Sequence, residues 1–258
     1  MINVVHALFF RELKTRFGIN KYLGYFWVIG EPMMVILVIA SLVTAIREFR
    51  HQIMPDGISI FMFLVIGIIP FFMFRSIVTQ ILSGIQANLA LFAYKPIRPI
   101  HVFIARALLE FCIYLTIFVC VMFLAGWFFH MHVIPQHMLE VMFSFVMLVL
   151  FGFSMGMCFA IAGYFSEPIQ KLFGYINAIL YWTSFVVIPA WIIPKPILEY
   201  FYYNPLLHIM ELLKYNFFVN YPLLDNYNYY YPLICLIAIL FLGLFFYYFT
   251  REKLIATR

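Results

Sequence analysis

Apolar positions fall in six long stretches, Gly24 to Ile46, Ile58 to Val78, Ile100 to Trp127, Leu139 to Gly163, Leu172 to Trp191 and Pro232 to Thr250, with polar residues gathered between them. About 20 apolar residues in helical geometry cover the ~30 Å hydrocarbon core of a bilayer. Hydrocarbon offers no partner for backbone N–H and C=O groups, so each stretch must pair its own, and none alternates like a barrel strand. The pattern predicts an all-α polytopic membrane protein, one transmembrane domain over 1–258 with six transmembrane helices at about 24–46, 58–78, 100–127, 139–163, 172–191 and 232–250.

The segments between the spans carry patterns of their own. In residues 1–21, Val4, Val5, Leu8, Phe9 and Leu13 form an apolar stripe with Arg11, Lys14 and Arg16 largely off it, which suits an N-terminal interfacial helix; the alternative is a frayed terminus. Charges at Arg11, Glu12, Lys14 and Arg16 replace the apolar core of a cleavable signal peptide. The stretch from Ile81 to Pro99 is too polar to span and too apolar for a free loop. It predicts a short helix at about 83–93, ended by Lys95-Pro96 and projecting Leu91, Phe92 and Tyr94. Residues 192–231, divided by Pro194, Pro196, Pro205, Pro222 and Pro232 yet rich in Tyr, Phe and Leu, suit short re-entrant or interfacial helices before the last span. Asn204-Pro205 is a helix-start signal there, with His208 and Glu211 following on one face.

Charge sets the expected orientation. Of 16 lysines and arginines, Arg47, Arg50, Lys195 and Lys214 fall on one side and the other twelve on the other, so both termini are expected in the cytoplasm. This asymmetry accounts for the net charge of +5 without a nucleic-acid partner. Cys112, Cys120, Cys158 and Cys235 all lie within predicted spans and behave as small apolar residues. There is no GxxxxGK[ST], GxSxG, HExxH or CxxC motif, so neither an ATP site of its own nor a catalytic residue is expected. His130, His132 and His137, in a loop broken by Pro135, read as solvated side chains in preference to metal ligands.

Polar residues within the spans are the informative ones. A charge at a helix centre costs roughly 2.5 to 3.5 kcal/mol on insertion scales, so Glu31, Arg75, Arg106 and Glu110 are expected to face protein or water. Arg106 and Glu110, one turn apart, can pair, either as a packing clasp or on a transport path. Pro32 after Glu31 is expected to kink or break the first span. Aromatic residues make up 21% of the chain. Rings near Tyr22, Tyr25 and Trp27 can stack on sugar faces or anchor the helix at the interface.

The segments RELKTRFG (Arg11 to Gly18), YLGYFWVIGEP (Tyr22 to Pro32), ANLALFAYKPIRP (Ala87 to Pro99), IARALLE (Ile104 to Glu110) and YNPLLHIMEL (Tyr203 to Leu212) occur in an order that resembles the permease subunit of capsular polysaccharide ABC exporters of Gram-negative bacteria, in the ABC-2 class. The resemblance implies an inner-membrane homodimer bound to two copies of a separate ATPase that holds ATP and Mg. It implies export of lipid-linked polysaccharide, passed on to a periplasmic co-polymerase and an outer-membrane channel. It places ATPase coupling at Asn88, Leu91, Phe92, Tyr94 and Lys95, and basic groups Arg16, Lys21, Arg75 and Arg106 at the cytoplasmic mouth. Glu31, Glu110, Tyr22, Tyr25 and Trp27 join them as substrate-path candidates, and Asn204, Pro205, His208 and Glu211 as re-entrant ones. Rival expectations are an O-antigen or teichoic-acid-like polymer exporter, a drug or small-lipid exporter, and a membrane-embedded transferase.

Overall fold

The computed structural model describes residues 2–17, 24–50, 54–55, 57–94, 96–224 and 226–256. Among them are nine α-helices and no strand: α1 (Ile2–Phe17), α2 (Gly24–Phe49), α3 (Ile60–Leu82), α4 (Pro99–Phe129), α5 (Met138–Phe165), α6 (Glu167–Thr183), α7 (Lys195–Phe201), α8 (Pro205–Phe217) and α9 (Tyr230–Ala256). Short 3₁₀ segments occupy Gln86–Ala93 and Ala190–Ile192.

Local chemistry sets several boundaries. Ser59 caps α3, its hydroxyl accepting from the Met62 amide at 3.1 Å. Pro99 opens α4 at a position where its missing N–H costs nothing, and α4 ends at His130 in the left-handed region, φ 49°. α2 runs on through Pro32 and α3 through Pro70, so of the kink or break expected after Glu31 the break does not occur.

Five helices among the described residues, within α2, α3, α4, α5 and α9, are long and apolar enough to cross a membrane. The fifth expected span differs. α6 stops at Thr183 after 17 residues, about 25 Å at 1.5 Å per residue. The apolar run continues to Trp191, but the backbone turns at Ser184 and Phe185, the latter with φ 48°. Contacts with α3, α8 and Asn204, described below, hold that turn.

α3 is the centre of the bundle, packed against α2, α4 and α5, and α5 in turn packs against α9. Every residue from Met62 to Phe71 is buried. Helices in lipid associate through close packing more than through exclusion of water, which favours small residues at the contact. Gly152 and Gly156 of α5 provide it: a Cβ on Gly152 would stand 3.2 Å from the Phe74 carbonyl, and one on Gly156 3.0 Å from Ile81 Cβ. The stripe of α1, Val4, Val5, Leu8, Phe9 and Leu13, packs on this same core. α2 turns Trp27, Met34, Val38 and Leu42 outward.

Candidate functional site

The chain crosses back and forth, so the bundle has a near end, with α1 and the 86–93 segment, and a far end, with α7, α8 and the turn after α6. Each end holds a knot of polar side chains, and a polar stripe on α3 lies between them.

Below Phe71, α3 is exposed only at Arg75 and Thr79, with Phe72, Ser76, Gln80 and Leu82 half-buried. These positions recur every three or four residues and so share a face. Ser76 donates to Glu110 Oε2 of α4 at 2.6 Å, and Arg75 lies over the Phe72 ring, 5.9 Å from its centre. A small cavity of about 210 Å³ opens here, lined by Arg75, Ser76, Thr79, Gln80, Phe72 and Tyr114. Arg75 is exposed on this face, whereas Glu110 is buried behind it and reached through Ser76.

Arg106 belongs to the near-end knot. Its Nη1 donates to the Gln80 carbonyl at 2.7 Å and to Ser83 Oγ at 3.0 Å, and its Nε lies 3.3 Å from Glu12 Oε1. Glu12, on α1, was not among the expected site residues. Its only sequence signal was an acidic residue set among Arg11, Lys14 and Arg16.

The 86–93 segment corrects two expectations. It is 3₁₀ in place of a regular α-helix, kinked at Asn88 with φ −125° and ψ 16°. Asn88 and Phe92 are buried in the chain's own structure and Leu91 is half-buried, so the large apolar side chains presented outward here are Leu89 and, just past the segment, Tyr94. Asn88 accepts from Arg11 at 2.8 Å and donates to the Gly84 carbonyl at 3.0 Å.

On α2, Trp27 and Glu31 are both exposed. Lys21, Tyr22 and Lys95 lie outside the described residues, as do the side chains of Arg16 and Tyr25.

The far-end knot gathers all four re-entrant candidates. Asn204 caps α8, accepting from the Leu206 amide at 3.0 Å, and Pro205 fills the first helical position. The Asn204 amide nitrogen donates to Thr183 Oγ1 and Ser184 Oγ, each at 2.9 Å, tying α8 to the end of α6. His208 Nε2 donates to the Tyr202 carbonyl at 2.9 Å, and its Nδ1 accepts from the Asn228 amide at 3.4 Å. Glu211 accepts from Lys214 at 2.9 Å and from the Tyr221 hydroxyl at 2.7 Å.

Lys214 was counted among the outer loop charges, yet it is fully buried. Its ammonium donates to the Phe185 carbonyl at 2.7 Å and lies 4.5 Å from the Phe63 ring centre. Arg47 donates to the Val187 carbonyl at 2.7 Å. Two cations therefore grip the carbonyls of the turn after α6. Burial pushes the Lys214 ammonium below the usual lysine range, partly offset by the Glu211 carboxylate, while burial and then Glu211 push the Tyr221 hydroxyl well up. The i, i+3 spacing of Glu211 and Lys214 was the available sequence signal.

Five long apolar helices packed about α3 have the form of a membrane-embedded protein. Residues 3–218 match the ABC-2 type transporter family, and the chain belongs to it. It is thus a transmembrane permease subunit, with ATP hydrolysis assigned to a separate partner. The chain is 37% identical over 213 residues to the polysialic acid transport protein KpsM of Escherichia coli, covering 81% of this chain and 79% of that protein. A second Escherichia coli KpsM is 36% identical over 210 residues. The capsule polysaccharide export inner-membrane protein CtrC of Neisseria meningitidis serogroup B is 23% identical over 244 residues, 93% and 88% of the two chains.

Proposed function

We propose that this chain is the permease of a capsular polysaccharide exporter and moves a lipid-linked polymer across the inner membrane. Two copies form the channel, and two ATPase subunits that hold ATP and Mg drive it from the cytoplasm. The near end and both termini face the cytoplasm, and a periplasmic co-polymerase and an outer-membrane channel carry the polymer onward.

The observation that carries this reading is the α3 stripe. The most buried helix of the bundle is open to its surroundings at Arg75 and Thr79. A cation and hydrogen-bonding side chains do not face lipid without cost, so the stripe faces a polar path. Exposed Glu31 on α2 fits the same geometry, because a carboxylate in an apolar span needs water or a second copy beside it. The names of the relatives supply the polymer class.

Cells lacking this chain are expected to accumulate the polymer in the cytoplasm, and the wild-type chain to restore it to the surface. Arg75→Glu, at wild-type membrane levels, removes a charge-assisted contact of about 1.5–3 kcal/mol and is expected to cut surface polymer roughly tenfold or more. Normal export by that variant would remove the stripe from the path.

A further inference from the structure

At the near end a single carboxylate lies where four pieces of the chain meet. Glu12 is buried on α1. Its Oε1 is 3.3 Å from Arg106 Nε of α4 and 3.5 Å from the side-chain nitrogen of Asn88, inside the 86–93 segment. Arg106 reaches on to the last turn of α3 through the Gln80 carbonyl and to Ser83 just beyond it. Arg11, beside Glu12 in sequence, holds the other side of the Asn88 amide at 2.8 Å. The outward face of the segment is Gln86, Ala87, Leu89, Ala90 and Tyr94, whereas Asn88 and Phe92 point inward. A push on the outward face therefore reaches the membrane helices through whatever Asn88 and Phe92 touch. Phe92 meets the apolar core, a contact without charge. Asn88, at the kink, meets two charged groups, Arg11 at 2.8 Å and Glu12 at 3.5 Å.

We propose that Glu12 is a positioning residue for transport: it holds the 86–93 segment to α4 and α3 through Asn88 and Arg106, so that movement of the segment displaces those helices together. The inference rests on the exporter reading above, in which ATPase subunits drive the near end from the cytoplasm, and on the 86–93 segment, where the family resemblance puts the coupling, being the part they bear on. A buried ion pair suits the task because separating it leaves a charge without solvent, so the groups it joins move together. The apolar packing of α1 on the core supplies the adhesion, and Glu12 supplies the register.

The test uses the intact permease–ATPase complex in proteoliposomes, reading polymer exported per ATP hydrolysed. Glu12→Gln keeps the size and loses the charge; Glu12→Asp keeps the charge and shortens the reach. Export per ATP is expected to fall in the order wild type, Asp, Gln, with Gln at least about fivefold below wild type, the scale of a typical coupling free energy, while ATP is still hydrolysed. Equal ratios for all three would overturn the proposal. If the Gln variant does not assemble, Asp alone decides, a lowered ratio supporting and an unchanged one overturning it. Failure of the wild-type complex to export would instead strike the exporter reading itself.

Discussion

The two polar knots use the same chemistry for different ends. At the far end, Glu211, Lys214 and Tyr221 are buried deep within the chain, and their hydrogen bonds close on one another and on the Phe185 carbonyl. At the near end, Glu12 and Arg106 are buried, but Arg11 and the 86–93 face beside them are exposed. The far knot locks a turn that local sequence does not favour. The near knot joins a surface segment to two membrane helices. A buried, fully paired network resists change, because any broken bond leaves a charge without solvent. A network at the rim can lose a contact to water and regain it, which is what a moving part requires.

The largest expected effect lies in the far knot. Lys214→Met leaves the Glu211 carboxylate buried with the Tyr221 hydroxyl and without its cation, at about 3–5 kcal/mol. Lys214→Met combined with Glu211→Leu removes both charges and is expected to recover most of that loss, since apolar replacement of a buried pair is often neutral. The thermal midpoint of the protein in detergent measures both. Equal destabilisation of the single and double variants would mean that shape, and not charge pairing, holds the turn.

The next effect isolates the backbone of that turn. A Cβ on Gly67 of α3 would collide with the Val186 carbonyl, which lies between the two carbonyls gripped by Lys214 and Arg47. Gly67→Ala is expected to destabilise by about 1–3 kcal/mol, the usual cost of overpacking, read by the same thermal midpoint. An unchanged midpoint would show that the turn moves aside freely.

This turn also marks where the sequence stops being readable. Five spans were legible because an apolar run of about 20 residues in lipid has little choice but helix. Leu172 to Trp191 is less apolar, broken by Asn177, Thr183 and Ser184, and α6 ends within it. The reasons are remote: Asn204 holds Thr183 and Ser184 from 20 residues away, and Lys214 and Arg47 hold the next carbonyls from other helices. Lys214 looked peripheral for the same reason, since hydropathy places it in a loop and only tertiary packing buries it. At the near end the 86–93 segment was visible as an amphipathic interruption, but which side faced out was not. The kink at Asn88 rotates Phe92 into the core and leaves Leu89 and Tyr94 outside. Arg75 and Glu110 stood out because charge in a span is rare, whereas Glu12 was lost among neighbouring charges.

The smallest expected effect separates the far knot by pH. His208 is buried among the rings of Tyr202, Tyr227 and Tyr231, with centres 6.0, 5.5 and 5.2 Å away. Its Nε2–H donates to the Tyr202 carbonyl while Nδ1 accepts from the Asn228 amide, a pattern only the neutral ring satisfies. Protonating Nδ1 would set donor against donor, and burial already lowers the His208 pKa below its usual value, the Tyr202 hydrogen bond only partly opposing this. The unfolded chain therefore takes up this proton at a higher pH than the folded one. Stability is full above an unfolded pKa of about 6.5 and is lost as pH falls below it, at no more than about 1.4 kcal/mol per pH unit for a single proton. The thermal midpoint is expected to drop between pH 7.5 and 5.5, and to drop less in His208→Gln, which cannot charge. An equal drop in both proteins would place the acid sensitivity elsewhere and leave the far knot, unlike a rim network, indifferent to acid over this range.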